Sequence, residues 1–102
     1  MSSATYDRQG TALTVKPEGR LDTIYSPTLE KEVLRHLDDV QELIMDFEKV
    51  LYISSSGIRM LLNLSRNMEN SGGNMKVIHV NDYISEIFDM VRFSDLVEVE
   101  EN

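Results

Sequence analysis

Three amphipathic stretches alternate with short apolar runs along this chain, and that alternation is what most limits the folds open to it. The first stretch opens at Ser26, read as a cap, with Pro27 at the first helical position and Glu30 and Glu32 near the positive end of the dipole. Leu29, Val33, Leu34 and Leu37 then form its apolar stripe. A second helix is expected from about Ser55 to Asn70, burying Ile58, Leu61, Leu62, Ser65 and Met68, with Met60 and Leu64 widening the face, and ending at Ser71-Gly72-Gly73. A third starts at Asn81 or Asp82 and keeps Ile84, Ile87, Phe88 and Val91 at helical spacing. Between them, Leu43-Ile44-Met45 and Met75–Val80 read as strands, the former as a central strand covered on both faces because it lacks alternation. Ahead of all this, Asp7-Arg8-Gln9-Gly10 reads as a hairpin turn, Leu13 and Val15 alternate with Thr14 and Lys16, and Pro17-Glu18-Gly19 interrupts or bulges that strand. Phe93, Leu96, Val97 and Val99 are expected to dock a last short element. Strand–helix alternation requires crossover connections and parallel strands. The expected fold is therefore α/β, one domain over residues 1–102, with a small mixed sheet that begins in a hairpin.

Charge narrows the partners. The chain has 102 residues, with 18 Asp and Glu against 10 Lys and Arg, a net charge of −8. Binding to nucleic acid or to an anionic membrane surface needs clustered cations, so neither is expected. There is no cysteine, hence no disulfide, thiol catalysis or Cys-ligated metal. No apolar run approaches the length of a membrane span and the N-terminus carries no basic head with an apolar core, which makes a cytoplasmic protein the expectation. His36 and His79 have no metal-ligand spacing, and His79, between Ile78 and Val80, reads as structural. The chain lacks a Gly-x-Ser-x-Gly elbow and a Walker-type loop, so no enzymatic activity, cofactor or metal is expected.

One place breaks the local rules. In Ile53-Ser54-Ser55-Ser56-Gly57-Ile58, the staple spacing of Ile53 and Ile58 favours Ser54 as the helix cap. Ser55 and Ser56 then occupy the first two helical positions and are surplus to capping. Gly57 costs about 1 kcal/mol relative to alanine in a first turn. A glycine beside exposed hydroxyls implies close approach by a protein backbone, a kinase active site, or a packed neighbour within the fold. A phosphate on Ser55 or Ser56 would add roughly −1.5 to −2 charge at pH 7 where unpaired amides favour an anion. Such a modification acts on whatever touches the surface rather than on the fold. Arg59, Asn63, Arg66 and Asn67 share one face of the same helix, either as its solvated side or as part of a partner footprint. Residues 53–75 carry two basic side chains and one acidic, so the acidity of the whole is absent here.

The stretch Asp46-Phe47-Glu48-Lys49-Val50-Leu51-Tyr52-Ile53-Ser54-Ser55-Ser56-Gly57-Ile58 resembles the signature of STAS-domain anti-sigma factor antagonists, in which an aspartate closes a strand and a Ser-Ser-Gly or similar triplet opens a helix about ten residues later. Gly19-Arg20-Leu21-Asp22 is similar to the family's second marker, and the element order matches over roughly residues 5–99. The resemblance implies a partner-switching protein that binds an anti-sigma factor acting as a serine kinase and so frees a sigma factor. It implies that the kinase phosphorylates the serine before the glycine, Ser56 here with Ser55 as the neighbouring candidate, and that a metal-dependent serine phosphatase reverses this. Asp22 and Ser54, Ser55, Ser56 and Gly57 would share one binding edge, with Arg59 and Asn63 beside it. Many members carry Asp where this chain has Ser54. A second expectation on the same fold is a non-switching accessory or scaffold subunit of a transport or signalling complex.

Overall fold

A computed structural model describes residues 2–101. In chain order the elements are β1 (Ser3–Gln9), β2 (Ala12–Leu21), α1 (Tyr25–Arg35), β3 (Glu42–Asp46), β4 (Lys49–Ile53), α2 (Ser55–Asn70), β5 (Asn74–Val80), α3 (Asp82–Met90), a single 3-10 turn (Phe93–Asp95) and β6 (Glu98–Glu101). They form one mixed sheet in the order β1-β2-β3-β5-β6, with β4 also on β2. Among the described residues, only the β1–β2 hairpin is antiparallel. The fold is mixed α/β, as the alternation requires.

The hairpin turn lies slightly later than expected. Asp7, Arg8 and Gln9 still pair with Thr14, Leu13 and Ala12, so the reversal falls on Gly10 and Thr11, with Gly10 at φ +62°. Glycine at the first central position supplies the positive φ that a two-residue hairpin needs.

The region before α2 contains two strands where one was expected. β3 pairs with Ala12–Val15 and β4 with Glu18–Leu21, so the two run as one interrupted line beside β2. At the interruption Phe47 turns into the core, 1% exposed, while Glu48 N–H donates to Asp46 Oδ1 (3.0 Å) and Val50 N–H to the Phe47 carbonyl (3.0 Å). Pro17, which has no N–H to offer a ladder, sits on β2 between the two pairings. The Pro17–Gly19 segment bulges rather than ends the strand, with the register shift between Gly19 and Arg20.

Every crossover steps the same way across the sheet, and right-handed connections then place all three helices on one face. Burial agrees. Leu13, Val15, Leu43, Met45, Met75 and Val77 are buried, while Thr14, Lys16, Ile44, Lys76 and Ile78 between them are only half-covered. The expectation that Leu43-Ile44-Met45 is covered on both faces is therefore corrected, because Ile44 lies on the open side.

Under the helices, Leu29 and Val33 of α1, Met60, Leu61, Leu64 and Met68 of α2, and Ile84 and Phe88 of α3 complete the core. Phe88 stacks on Phe93 at 4.3 Å and meets Phe47 at 6.5 Å between centroids. Leu34, Val91 and Leu96, expected inside, are exposed. Leu34 lies one position round from the Leu29–Val33 stripe, Val91 follows the last turn of α3, and Leu96 follows the 3-10 turn. Among the described residues, no helix is long and apolar enough to cross a membrane.

Candidate functional site

The helix starts converge at the C-terminal ends of the parallel strands, where open α/β sheets place their binding surfaces. α1 begins two residues earlier than its sequence signals suggest, at Tyr25 rather than Pro27, and Ser26 does not cap it. Asp22 Oδ1 accepts from the N–H groups of Ile24 (3.1 Å) and Tyr25 (2.8 Å), so the capping carboxylate comes from the end of the β2 segment. Ser26 is buried instead, and its hydroxyl has no hydrogen-bond partner among the described residues. α3 begins at Asn81, whose Oδ1 accepts from Ile84 N–H (2.8 Å) while its Nδ2 donates to the Val50 carbonyl (3.2 Å).

Between these two lies the serine junction. Ser54 is the cap of α2, its Oγ accepting from Gly57 N–H at 3.3 Å. The same hydroxyl donates to the Leu21 carbonyl at 3.0 Å, and Ser54 N–H donates to that carbonyl at 2.9 Å. Ser54 thus binds the start of α2 to the end of β2, immediately before Asp22. An aspartate here, having no proton at neutral pH, would cap the helix but not make the side-chain bond to Leu21. Replacing Ser54 by alanine removes both side-chain bonds, and thermal unfolding should show a loss of about 1 kcal/mol.

With Ser54 engaged, the hydroxyls left at the helix start are those of Ser55, which is exposed, and Ser56, which is half-buried. Their amides have no intrahelical acceptor, and no acidic residue occupies the first turn. Arg59 is exposed and Asn63 half-buried on the turns that follow. Asp22, Ser54, Ser55 and Ser56 are therefore assembled on one edge.

Gly57 is buried, and the space it leaves is filled from inside. A Cβ there would stand 2.6 Å from Ile53 Cγ1 and 3.0 Å from the Leu21 carbonyl oxygen. Of the three approaching bodies considered for this glycine, the packed neighbour within the fold is the one present, and Gly57 offers the edge no surface of its own.

Two residues that sequence reasoning passed over border the same edge. Ile24, beside the Asp22 cap, is 83% exposed, and Leu51 on β4 is 70% exposed. The available signal was an isoleucine at the very start of a helix, outside the Leu29–Val33 stripe. Arg20 also lies over the Tyr52 ring, 4.2 Å from its centroid, on the neighbouring strands that lead into the edge. A hollow of 510 Å³ lies away from this edge, lined by Thr11, Leu37, Asp39, Val40, Gln41 and Ser71 at the opposite ends of the strands. Among the described residues, no group of three or more His, Cys, Asp or Glu side chains could hold a metal ion.

Comparison with known proteins places the chain in a family. The STAS domain model matches residues 3–102. The anti-sigma-B factor antagonist of Staphylococcus aureus is 28% identical over 89 residues, 85% of this chain and 82% of that protein. Among solved structures, an anti-sigma factor antagonist from Mycobacterium paratuberculosis superposes with a TM-score of 0.87 at 15% identity, covering 98% of this chain and 86% of that one. The Bacillus cell fate determinant SpoIIAA in its phosphorylated form gives a TM-score of 0.74 at 15% identity, over 95% and 90% of the two chains. At these identities the structures establish a shared fold.

Proposed function

The chain belongs to the STAS domain family, and from that premise we propose that it is an anti-sigma factor antagonist: it binds an anti-sigma factor that is also a serine kinase, releases the sigma factor, and is switched off when Ser56 is phosphorylated. The observation that carries the reading is the division of labour among the three serines. Ser54 is held by two bonds to the fold, whereas Ser55 and Ser56 stand at the first turn of α2 with hydroxyls unassigned to structure. A helix start accommodates an added dianion, so a phosphate there leaves the domain folded and changes only what the edge presents. Ile24 and Leu51 supply exposed apolar area of the kind that partner surfaces bury at their centre, and Asp22, Arg59 and Asn63 would add polar contacts. A serine phosphatase would restore the binding state. The reading is that of a non-enzymatic cytoplasmic binding module.

The test is kinase affinity for the wild type, Ser56→Ala and Ser56→Asp. Ser56→Asp should bind at least tenfold more weakly with an unchanged unfolding midpoint, while Ser56→Ala should bind as the wild type does and accept no phosphate by intact mass. Equal binding by folded Ser56→Asp sinks the switch at this residue. A chain that gains no phosphate from the kinase and ATP points instead to the non-switching accessory subunit.

A further inference from the structure

The sheet face turned away from the helices plays no part in the serine edge. It is not a plain solvated surface. Thr14, Ile44 and Lys76 stand side by side across β2, β3 and β5, and Asp46 stands beside Ile78. Ile44 and Ile78 are half-covered there with no layer above them, at positions where an open sheet face ordinarily carries polar residues.

The charges around them are mostly acidic, with Arg20, laid over the Tyr52 ring at the far end of β2, the cation outside any ion pair among the described residues. The lysines that reach this face are already paired: Lys16 with Glu48 (2.7 Å), Lys49 with Glu18 (3.9 Å) and Lys76 with Glu100 (3.5 Å). The hydrogen bond between Lys16 and Glu48 raises the ammonium and lowers the carboxyl, so both stay charged through the neutral range. Asp7 and Glu42 face the same way by register and Glu98 stands beside Lys76; none of the three takes part in an ion pair among the described residues.

At the C-terminal margin of the face is a strained residue. His79 adopts φ +59°, a left-handed conformation that costs a non-glycine residue about 1–2 kcal/mol. Its Nδ1 lies 2.8 Å from Asp46 Oδ1, the oxygen that also accepts from Glu48 N–H, and Asp46 is only 9% exposed. Strain of this kind persists only where the surroundings hold it in place.

We infer that this face is a second docking surface and that its occupant is a basic protein segment, one whose apolar residues cover Ile44 and Ile78 while its lysines or arginines meet Asp7, Glu42 and Glu98. Charge selects that occupant. A second copy of the chain would set like charges against one another, and polyanions are repelled for the same reason. The surface is independent of the serine edge, which lies at the strand ends.

The test titrates the 15N-labelled full chain with an amphipathic lysine–leucine peptide at 150 mM salt. Amide shifts should concentrate at Thr14, Ile44, Lys76 and Ile78 and spare α2. The double variant Asp7→Lys/Glu98→Lys, at two exposed positions outside any ion pair, should bind the peptide at least tenfold more weakly. Glu69→Lys/Asp89→Lys makes the same change in net charge elsewhere and should stay within threefold of wild type. Equal losses in the two double variants, or shifts spread over the carboxylates of α1 and α3, would reduce the effect to general attraction and overturn the proposal. Sedimentation as a dimer, with the face protected in the absence of peptide, would overturn it in favour of a second copy.

Discussion

Phe47→Ala should lower the unfolding free energy by about 3–5 kcal/mol, the range for deleting a fully buried aromatic ring. The residue is 1% exposed and occupies the interruption between β3 and β4. Its ring meets Phe88, which stacks on Phe93, so one deletion opens a cavity that reaches α3 and the 3-10 turn. Its backbone is tied on both sides as well: Phe47 N–H donates to the Ile78 carbonyl (2.9 Å) and Val50 N–H donates back to the Phe47 carbonyl (3.0 Å). The ring is what fixes where the β3–β4 line departs from β5 and follows β2 to Ser54. Against a typical total of about 5–15 kcal/mol, such a loss leaves a barely folded domain. Urea denaturation followed by circular dichroism measures it. A change below about 1 kcal/mol would mean that the break is held by Asp46 and its hydrogen bonds rather than by the ring.

That break also shows where sequence reading stops. The second and third helices were legible because their starts are local: Ser54 and Asn81 each accept from an amide three residues on. The first was misread at its cap because Asp22, which also accepts from an amide three residues on, stands at the strand end before the Ser26-Pro27 pair that reads as the stronger start signal, and Ser26 is buried instead. Leu43-Ile44-Met45 reads the same whether one or both faces are covered, and only the common direction of the crossovers decides it. Phe47 reads as one more apolar residue until its partners, some forty residues distant, are in place. At the site, the serine triplet was visible as a surplus of capping residues. Ile24 and Leu51 were not, since an exposed apolar side chain differs from a buried one only in its surroundings.

Gly57→Ala should destabilise the domain by about 2 kcal/mol, although helix propensity alone predicts the opposite. In a first turn with ordinary backbone angles, alanine gains about 1 kcal/mol over glycine. Against this stands the added methyl, 2.6 Å from Ile53 Cγ1 and 3.2 Å from Ile53 Cδ1. Ile53 is 3% exposed and β-branched, so its side chain has one strongly preferred rotamer and little room to turn. The third contact, 3.0 Å away, is the Leu21 carbonyl oxygen, which already accepts from both the N–H and the hydroxyl of Ser54 and cannot withdraw without breaking the cap. Overpacking of this kind costs about 1–3 kcal/mol, and here it falls on the upper part of that range because strand and helix are fixed together. The sign of the measured change therefore separates the two explanations for the glycine. A loss in chemical denaturation assigns it to the joint between β2, β4 and α2, which positions Ser55 and Ser56. A gain of about 1 kcal/mol, combined with weakened kinase binding, would instead assign the missing side chain to the approach of the partner.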